Sequence, residues 1–172
     1  MKKTDINSND LYPHPSSLGD DIYKSLCDLN KKNIIIISTT YHKKITGSMA
    51  YSYIKNSTLN SIGFIEVSGA FEIPLATKLI IEKFRPMQVL ALGCVIKGET
   101  KHDEYLSSTV INGLRNLSLE YKIPVINGIL TTNNIQQAVD RAGKKYDKGK
   151  GFFDSSILMH EVISKINKRT ND

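Results

Sequence analysis

The segment NIIIIS, Asn33 to Ser38, sets four isoleucines in a row with nothing polar between them. A half-exposed strand would alternate apolar and polar residues, and a surface helix would interrupt the run within one turn. β-branched side chains that are apolar on both faces mark a strand buried between two layers, as in the interior of a parallel sheet. Parallel neighbours cannot be joined by a tight turn, so such a strand demands crossover segments long enough to return the chain to the same end of the sheet.

The rest of the chain supplies them. Residues 44–59 carry helical spacing at Ile45, Met49, Tyr53 and Ile54, followed by a strand over Ile62 to Val67 and a helix over Ile73 to Phe84. Pro86 cannot continue that helix and separates it from a strand at Gln88 to Ile96. A helix from about Tyr105 to Tyr121 leads through Pro124 to a fourth strand, Val125 to Leu130. Two helices follow, near Asn134 to Ala142 and Phe153 to Asn167, with Gly143 stopping the first. Strands and helices in this alternation, linked by right-handed crossovers, predict an α/β fold: a three-layer α-β-α domain around a four-stranded parallel sheet. At 172 residues the chain suits a single domain, spanning residues 33–172. Residues 1–32 are polar, contain Pro13 and Pro15, and read as an N-terminal arm, extended or partly helical, with a short helix near Asp20 to Leu29. Such an arm is expected to be mobile or to lie on a neighbouring subunit.

Composition narrows the function classes. The longest apolar runs are far too short to cross a bilayer, so no membrane partner is expected. MKKTDINSNDLYPHP offers two lysines but no apolar stretch after them, which predicts a cytoplasmic protein whose Cys27 and Cys94 are reduced thiols. The net charge of +6 comes from lysines spread along the chain, so nucleic acid is not the expected partner, although small anions would be attracted. His14, His42, His102 and His160 are scattered without HxxxH or CxxC spacing, and no metal site is expected.

In open parallel sheets the ligand sits beyond the carboxyl ends of the strands. Four stretches lie there: Thr39 to Lys43, Ser68 to Glu72, Lys97 to Asp103 and Thr131 to Asn134. In VSGAFEIP, Gly69 allows close backbone approach, and Glu72 falls at a helix start, where the dipole favours a carboxylate and where it could accept from substrate hydroxyls. In KGETKHD, Gly98 to Lys101 bridge a strand end and a helix start, a natural place for phosphate. His102 beside them could move protons near neutral pH, although a loop histidine is more often an exposed side chain. In the fourth stretch Thr132 or Asn133 would cap the next helix. Arg141 on the last turn of that helix is favoured structurally by the dipole, and could equally hold a phosphate or carboxylate.

Taken together, GAFEIP at 69–74, LGCVIKGETKHDEY at 92–105 and GILTTNNIQQAVDRAG at 128–143 resemble, in order and spacing, the signature segments of the 6,7-dimethyl-8-ribityllumazine synthase family. The resemblance covers roughly residues 34–165. It implies a flavodoxin-like sheet and an enzyme, a transferase, at the penultimate step of riboflavin biosynthesis. That step condenses 5-amino-6-(D-ribitylamino)uracil with 3,4-dihydroxy-2-butanone 4-phosphate, without metal or organic cofactor. It further implies His102 as proton shuttle, and Gly98, Glu99, Thr100 and Arg141 around the butanone phosphate. Tyr41 would stack on the uracil, Ala70, Phe71 and Glu72 would hold the ribityl chain and ring edge, and Cys94, Val95, Ile96 and Asn127 would line the pyrimidine pocket. Family sites lie between adjacent subunits of a homopentamer, or of an assembly of pentamers, so Arg141 and Asn127 would reach into the neighbour's pocket.

Three positions depart from the family pattern. Asn127 stands where phenylalanine is common, and His42 where asparagine is frequent. KKYDKGKG at 144–151 replaces a Gly-Asn-containing turn, leaving either Lys148 or Lys150 as the match for a family phosphate-side lysine. Two other readings compete. A flavodoxin-like or receiver-like binding module would want glycines or acids after the first strand, and TTYHKK has neither. A degenerate homologue that only binds flavin or lumazine, or forms a shell, would keep the sheet and lose the chemistry.

Overall fold

Ile34–Thr39 forms β1, and in the computed structural model, which describes residues 8–168, it lies inside the sheet with a neighbour on each side. The pleat divides the isoleucine run: Ile35 and Ile37 enter one core cluster and Ile36 the other, all three fully buried. β2 (Ile62–Val67), β3 (Gln88–Ile96) and β4 (Val125–Thr132) complete an all-parallel sheet in the order β2-β1-β3-β4. β1 pairs in register with Ile62–Val67 on one side and with Gln88–Ala91 on the other, while Val89–Ile96 runs along Val125–Thr132.

The helices, in chain order, are α1 (Asp20–Cys27), α2 (Lys43–Lys55), α3 (Ile73–Phe84), α4 (His102–Tyr121), α5 (Ile135–Ala142) and α6 (Lys148–Lys168). α3 and α4 cover one face through Ile73, Ile80, Ile81, Val110 and Leu114. α1, α2 and α5 cover the other through Leu26, Ile45, Met49, Tyr53 and Val139, with Phe152 and Phe153 of α6 packed beside them. This is the expected three-layer, flavodoxin-like arrangement, and β2, α3 and β3 have the bounds that periodicity predicts.

α6 begins at Lys148, well before the expected Phe153, although Gly149 and Gly151 each weaken a helix by about 1 kcal/mol relative to alanine. Asp147, at φ 39°, caps it by accepting from the Lys150 N–H at 3.1 Å, and also takes bonds from the Ser52 and Tyr12 hydroxyls. Gly149 has a packing role: a Cβ there would lie 2.4 Å from the Met49 carbonyl oxygen and 2.7 Å from Ser52 Cβ, so α6 approaches α2 at backbone contact. Gly149→Val is therefore expected to cost about 1 to 3 kcal/mol or more, read as a lowered melting temperature. Gly151→Ala, with nothing within 4 Å of its Cβ position, should be neutral or stabilising.

The described part of the arm is partly helical, with α1 where the short helix is expected. It does not stand free of its own domain: residues 8–32 fold back on it, burying Leu11 and Leu26 in the α2 face of the core. Tyr12 N–H donates to Ser48 Oγ at 2.9 Å, and Lys144 N–H to the Asp10 carbonyl at 2.9 Å. Ser16 N–H donates to His14 Nδ1, which leaves the proton on Nε2 to face Glu66 Oε1 at 3.3 Å, with Lys43 Nζ on the other carboxylate oxygen at 3.0 Å. Burial pushes the His14 imidazole below its ordinary range, against the pull of Glu66. The apolar residues of the arm are few but sit where they can be buried; its polar majority hid them. The arm's residues 1–7 and the chain's residues 169–172 lie outside the described residues.

Candidate active site

From β1 the chain goes to one side for β2 and returns to the other side for β3, so the crevice at the carboxyl ends of β1 and β3 is the switch point where open sheets bind ligands. Backbone bonds lace the rim together. Thr40 N–H donates to the Val67 carbonyl at 2.8 Å and Tyr41 N–H to that of Ser68 at 3.0 Å, setting Tyr41 against the turn after β2. Tyr41 is 67% exposed and Phe71 65%, two large aromatic faces open to solvent at neighbouring strand ends. His42 starts α2 in a left-handed conformation, φ 57°, with its ring edge-on to Tyr41 at 4.4 Å between centroids, and burial lowers its pKa.

A 3-10 turn, Ala70–Glu72, carries the chain into α3. Ala70 is buried above β3, where a Cβ on Gly93 would lie 3.6 Å from Ala70 Cβ and 2.9 Å from Ile129 Cδ1. Glu72 Oε2 accepts from the Gly69 N–H at 2.9 Å, which is the structural role its place at a helix start suggests. The strand end Cys94–Ile96 splits by pleat: Cys94 and Ile96 pack with the α2 side of the core, Val95 with the α4 side. Burial pushes the Cys94 thiol up to about 12, so it is a wall residue and no nucleophile. An alkylating reagent at mildly alkaline pH is expected to label exposed Cys27 and spare Cys94 until the protein unfolds, as peptide mass analysis would show.

After β3, Lys97 N–H donates to the Thr132 carbonyl at 2.8 Å, which pins the next loop to the end of β4. Gly98 has an ordinary backbone and nothing within 4 Å of its Cβ position, so open space lies before it. Its N–H donates to Asp103 Oδ1 at 3.2 Å. Thr100 Oγ1 accepts from the His102 N–H at 3.4 Å, which leaves the hydroxyl proton to be donated elsewhere. Glu99 and His102 are exposed, and α4 starts at His102 itself, earlier than the sequence suggests, because no Ser, Thr, Asp or Asn stands at the Lys101 cap to announce it.

A cavity of about 410 Å³ opens beside this loop, lined among others by Lys97, Asp103, Glu104, Thr132 and Arg141. Arg141 donates to its own helix at the Gln137 carbonyl, 3.2 Å away, and shares the cavity with Lys97, while His102 lies outside its lining. Thr132 ends β4 and does not cap α5: Asn134 does so, accepting from the Gln137 N–H at 2.9 Å, and neither Thr132 nor Asn133 takes that role. The Thr132 hydroxyl is buried without a partner. Asn127 turns back onto its own strand, accepting from the Ile129 N–H at 3.1 Å, and lines a separate cavity of about 220 Å³ with Arg115 and Leu119. One chain thus gathers Tyr41, Ala70 to Glu72 and Gly98 to His102 at one rim, with Arg141 in the neighbouring cavity and Asn127 apart. Lys97 and Asp103, the two ends of the third stretch, carry no individual role in the sequence reading, yet both line the cavity; both sit at strand or helix ends, where a charge reads first as a surface residue. Among the described residues no group of three or more His, Cys, Asp or Glu could hold a metal ion.

The family model for 6,7-dimethyl-8-ribityllumazine synthase matches residues 31–164, from just before β1 into α6. The chain belongs to this family of transferases. A lumazine synthase of Buchnera aphidicola subsp. Baizongia pistaciae is 35% identical over 153 residues, covering 85% of this chain and 94% of the relative. That of Limosilactobacillus reuteri is 35% identical over 147 residues, covering 84% and 95%. One from Prochlorococcus marinus subsp. pastoris is 37% identical over 112 residues, covering 65% and 71%. As a member of the lumazine synthase family the chain is an enzyme of riboflavin biosynthesis. Among its described residues no helix is long and apolar enough to cross a membrane.

Proposed function

We propose that this lumazine synthase family member condenses 5-amino-6-(D-ribitylamino)uracil with 3,4-dihydroxy-2-butanone 4-phosphate, giving 6,7-dimethyl-8-ribityllumazine, phosphate and water. The observation that carries the reading is the rim itself: an open aromatic face at Tyr41, a carboxylate at Glu72, a donor-rich turn at Gly98 to Thr100 and an exposed imidazole at His102, all at the ends of neighbouring strands.

In this reading Tyr41 stacks on the uracil, and Ala70, Phe71 and Glu72 hold the ribityl chain and ring edge. One oxygen of Glu72 is bonded to Gly69, and a carboxylate has a second with which to accept a hydroxyl. Cys94, Val95 and Ile96 form pocket wall. Gly98, Glu99 and Thr100 present backbone and hydroxyl donors to the phosphate, and Arg141 completes the anion site. His102 moves protons through Schiff-base formation, phosphate elimination and ring closure. Arg141 and Asn127 serve the site of an adjacent copy in a homopentamer or a multiple of it. The separate cavity that Asn127 lines within one chain supports this, as do the exposed leucines Leu75, Leu79 and Leu119 on α3 and α4. We place the activity in the cytoplasm, where free Cys27 and Cys94 stay reduced.

Mixing the purified protein with both substrates should produce the lumazine chromophore. Tight binding of riboflavin or the ribitylaminouracil with no product would instead favour a degenerate binding protein.

A further inference from the structure

We infer that His42 is a positioning residue of the proposed site: its ring braces that of Tyr41 and holds the aromatic face in the orientation that stacks on the pyrimidine. The inference rests on the proposed assignment of Tyr41 to the uracil ring.

The backbone of the pair is fixed at both residues. Tyr41 N–H donates to the Ser68 carbonyl at 3.0 Å, and the Tyr41 carbonyl accepts from Thr39 Oγ1 at 2.8 Å. His42 is the cap residue of α2, and its carbonyl accepts from the Ile45 N–H at 2.8 Å and the Thr46 N–H at 3.2 Å. The Tyr41 side chain, by contrast, is 67% exposed. The imidazole meets it, with ring centroids 4.4 Å apart and planes at 63°. That imidazole makes no capping bond to α2, and burial lowers its pKa, so at neutral pH it is an uncharged ring against an aromatic one.

The left-handed backbone at His42, φ 57°, accounts for the residue only in part. Glycine, asparagine, aspartate and histidine all enter that region more readily than other residues, so conformation alone does not select an imidazole. Contact with Tyr41 does. An exposed aromatic side chain populates several rotamers, and a ligand that needs one of them loses affinity in proportion to the population elsewhere. A neighbouring ring whose own backbone is fixed removes part of that loss before the ligand arrives. An edge-to-face pair of rings is worth about two- to tenfold in an equilibrium, which sets the size of the effect.

Asparagine accepts the left-handed conformation and has no ring, whereas phenylalanine has the ring and is strained there, so the two substitutions separate conformation from contact. In calorimetry on the full-length protein, His42→Asn should melt close to wild type and bind 5-amino-6-(D-ribitylamino)uracil about two- to tenfold more weakly. His42→Phe should melt lower and bind it close to wild type. In turnover, KM for the pyrimidine should rise in His42→Asn, while kcat and KM for the phosphorylated substrate stay; a general loosening of the rim would shift both KM values. The effect must pass through Tyr41: Tyr41→Ala should weaken pyrimidine binding, and adding His42→Asn to it should weaken binding no further. If His42→Phe fails to fold, His42→Gly replaces it as the second variant and should match His42→Asn. Wild-type pyrimidine affinity in His42→Asn, or further weakening in the double variant, overturns the inference and leaves His42 a residue chosen for its backbone. Tyr41→Ala that binds the pyrimidine as tightly as wild type sinks the stacking assignment as well. Weakened Tyr41→Ala beside unchanged His42→Asn sinks the inference alone. Wild type that makes no lumazine while the binding pattern holds sinks the proposed reaction and not the brace.

Discussion

His102→Ala is expected to slow lumazine formation by about 10²- to 10⁴-fold and still leave measurable turnover. Two contributions have to be compared. Proton transfer by one positioned imidazole accounts for the factor just given. Holding two reactants in line can contribute on the order of 7 to 11 kcal/mol, a larger share of the barrier. In the proposed reading the positioning groups lie elsewhere: Tyr41 just past the end of β1, Glu72 at the start of α3, and the Gly98 to Thr100 turn, which follows the Lys97 bond to β4. Since His102 is exposed and its side chain holds no element in place, its removal should leave both KM values near wild type and fall on kcat. Steady-state rates of the variant with each substrate varied in turn decide the matter. Complete loss of turnover with substrate binding intact would mean that the imidazole outweighs positioning.

What the sequence made legible was whatever depends on local pattern. The isoleucine run identified an interior strand because no other element tolerates it, and Pro86 and Pro124 marked where helices hand over to strands. Three linked segments at strand ends located the rim. The features that stayed hidden are tertiary. Gly149 reads as a helix breaker until the Met49 carbonyl is found where its side chain would be. Gln88, the first residue of β3, is fully buried, and its amide donates to Ser156 of α6 at 2.6 Å; a partner that far along the chain leaves no periodic trace. Leu11 and Leu26 looked like incidental apolar residues in a polar arm, and the surface that buries them belongs to α2 and β2. Cys94, Val95 and Ile96 matched the family as a block, yet alternation along a strand sends their side chains to opposite faces, so any contact that all three make with one ligand must be partly through the backbone. Asp103 was legible as a helix-start acid and no more, because its partner Gly98 lies outside the helix.

Co-expression of His102→Ala and Arg141→Ala chains is expected to recover about a quarter of wild-type activity, although each alone is strongly impaired. Within one chain Arg141 is bonded back to Gln137 and faces a cavity that excludes His102. If each site takes His102 from one copy and Arg141 from the next, a ring assembled at random from the two variants contains four kinds of interface. One kind in four joins an intact His102, on an Arg141→Ala chain, to an intact Arg141, on a His102→Ala chain. Those sites are wild type. Arg141→Ala alone should lower activity by about 10- to 100-fold, the worth of a charge-assisted bond to phosphate, so recovery to a quarter stands far above either parent. If the two residues instead serve one site within a single chain, every site in the mixture carries one defect or the other, and activity stays at the mean of the two variants. Mixing the separately purified variants supplies the control: no recovery should occur until subunits exchange, and any recovery should then follow the exchange rate. Activity in the co-expressed protein that never exceeds the parental mean would remove Arg141 from the neighbour's site and return it to its own helix end.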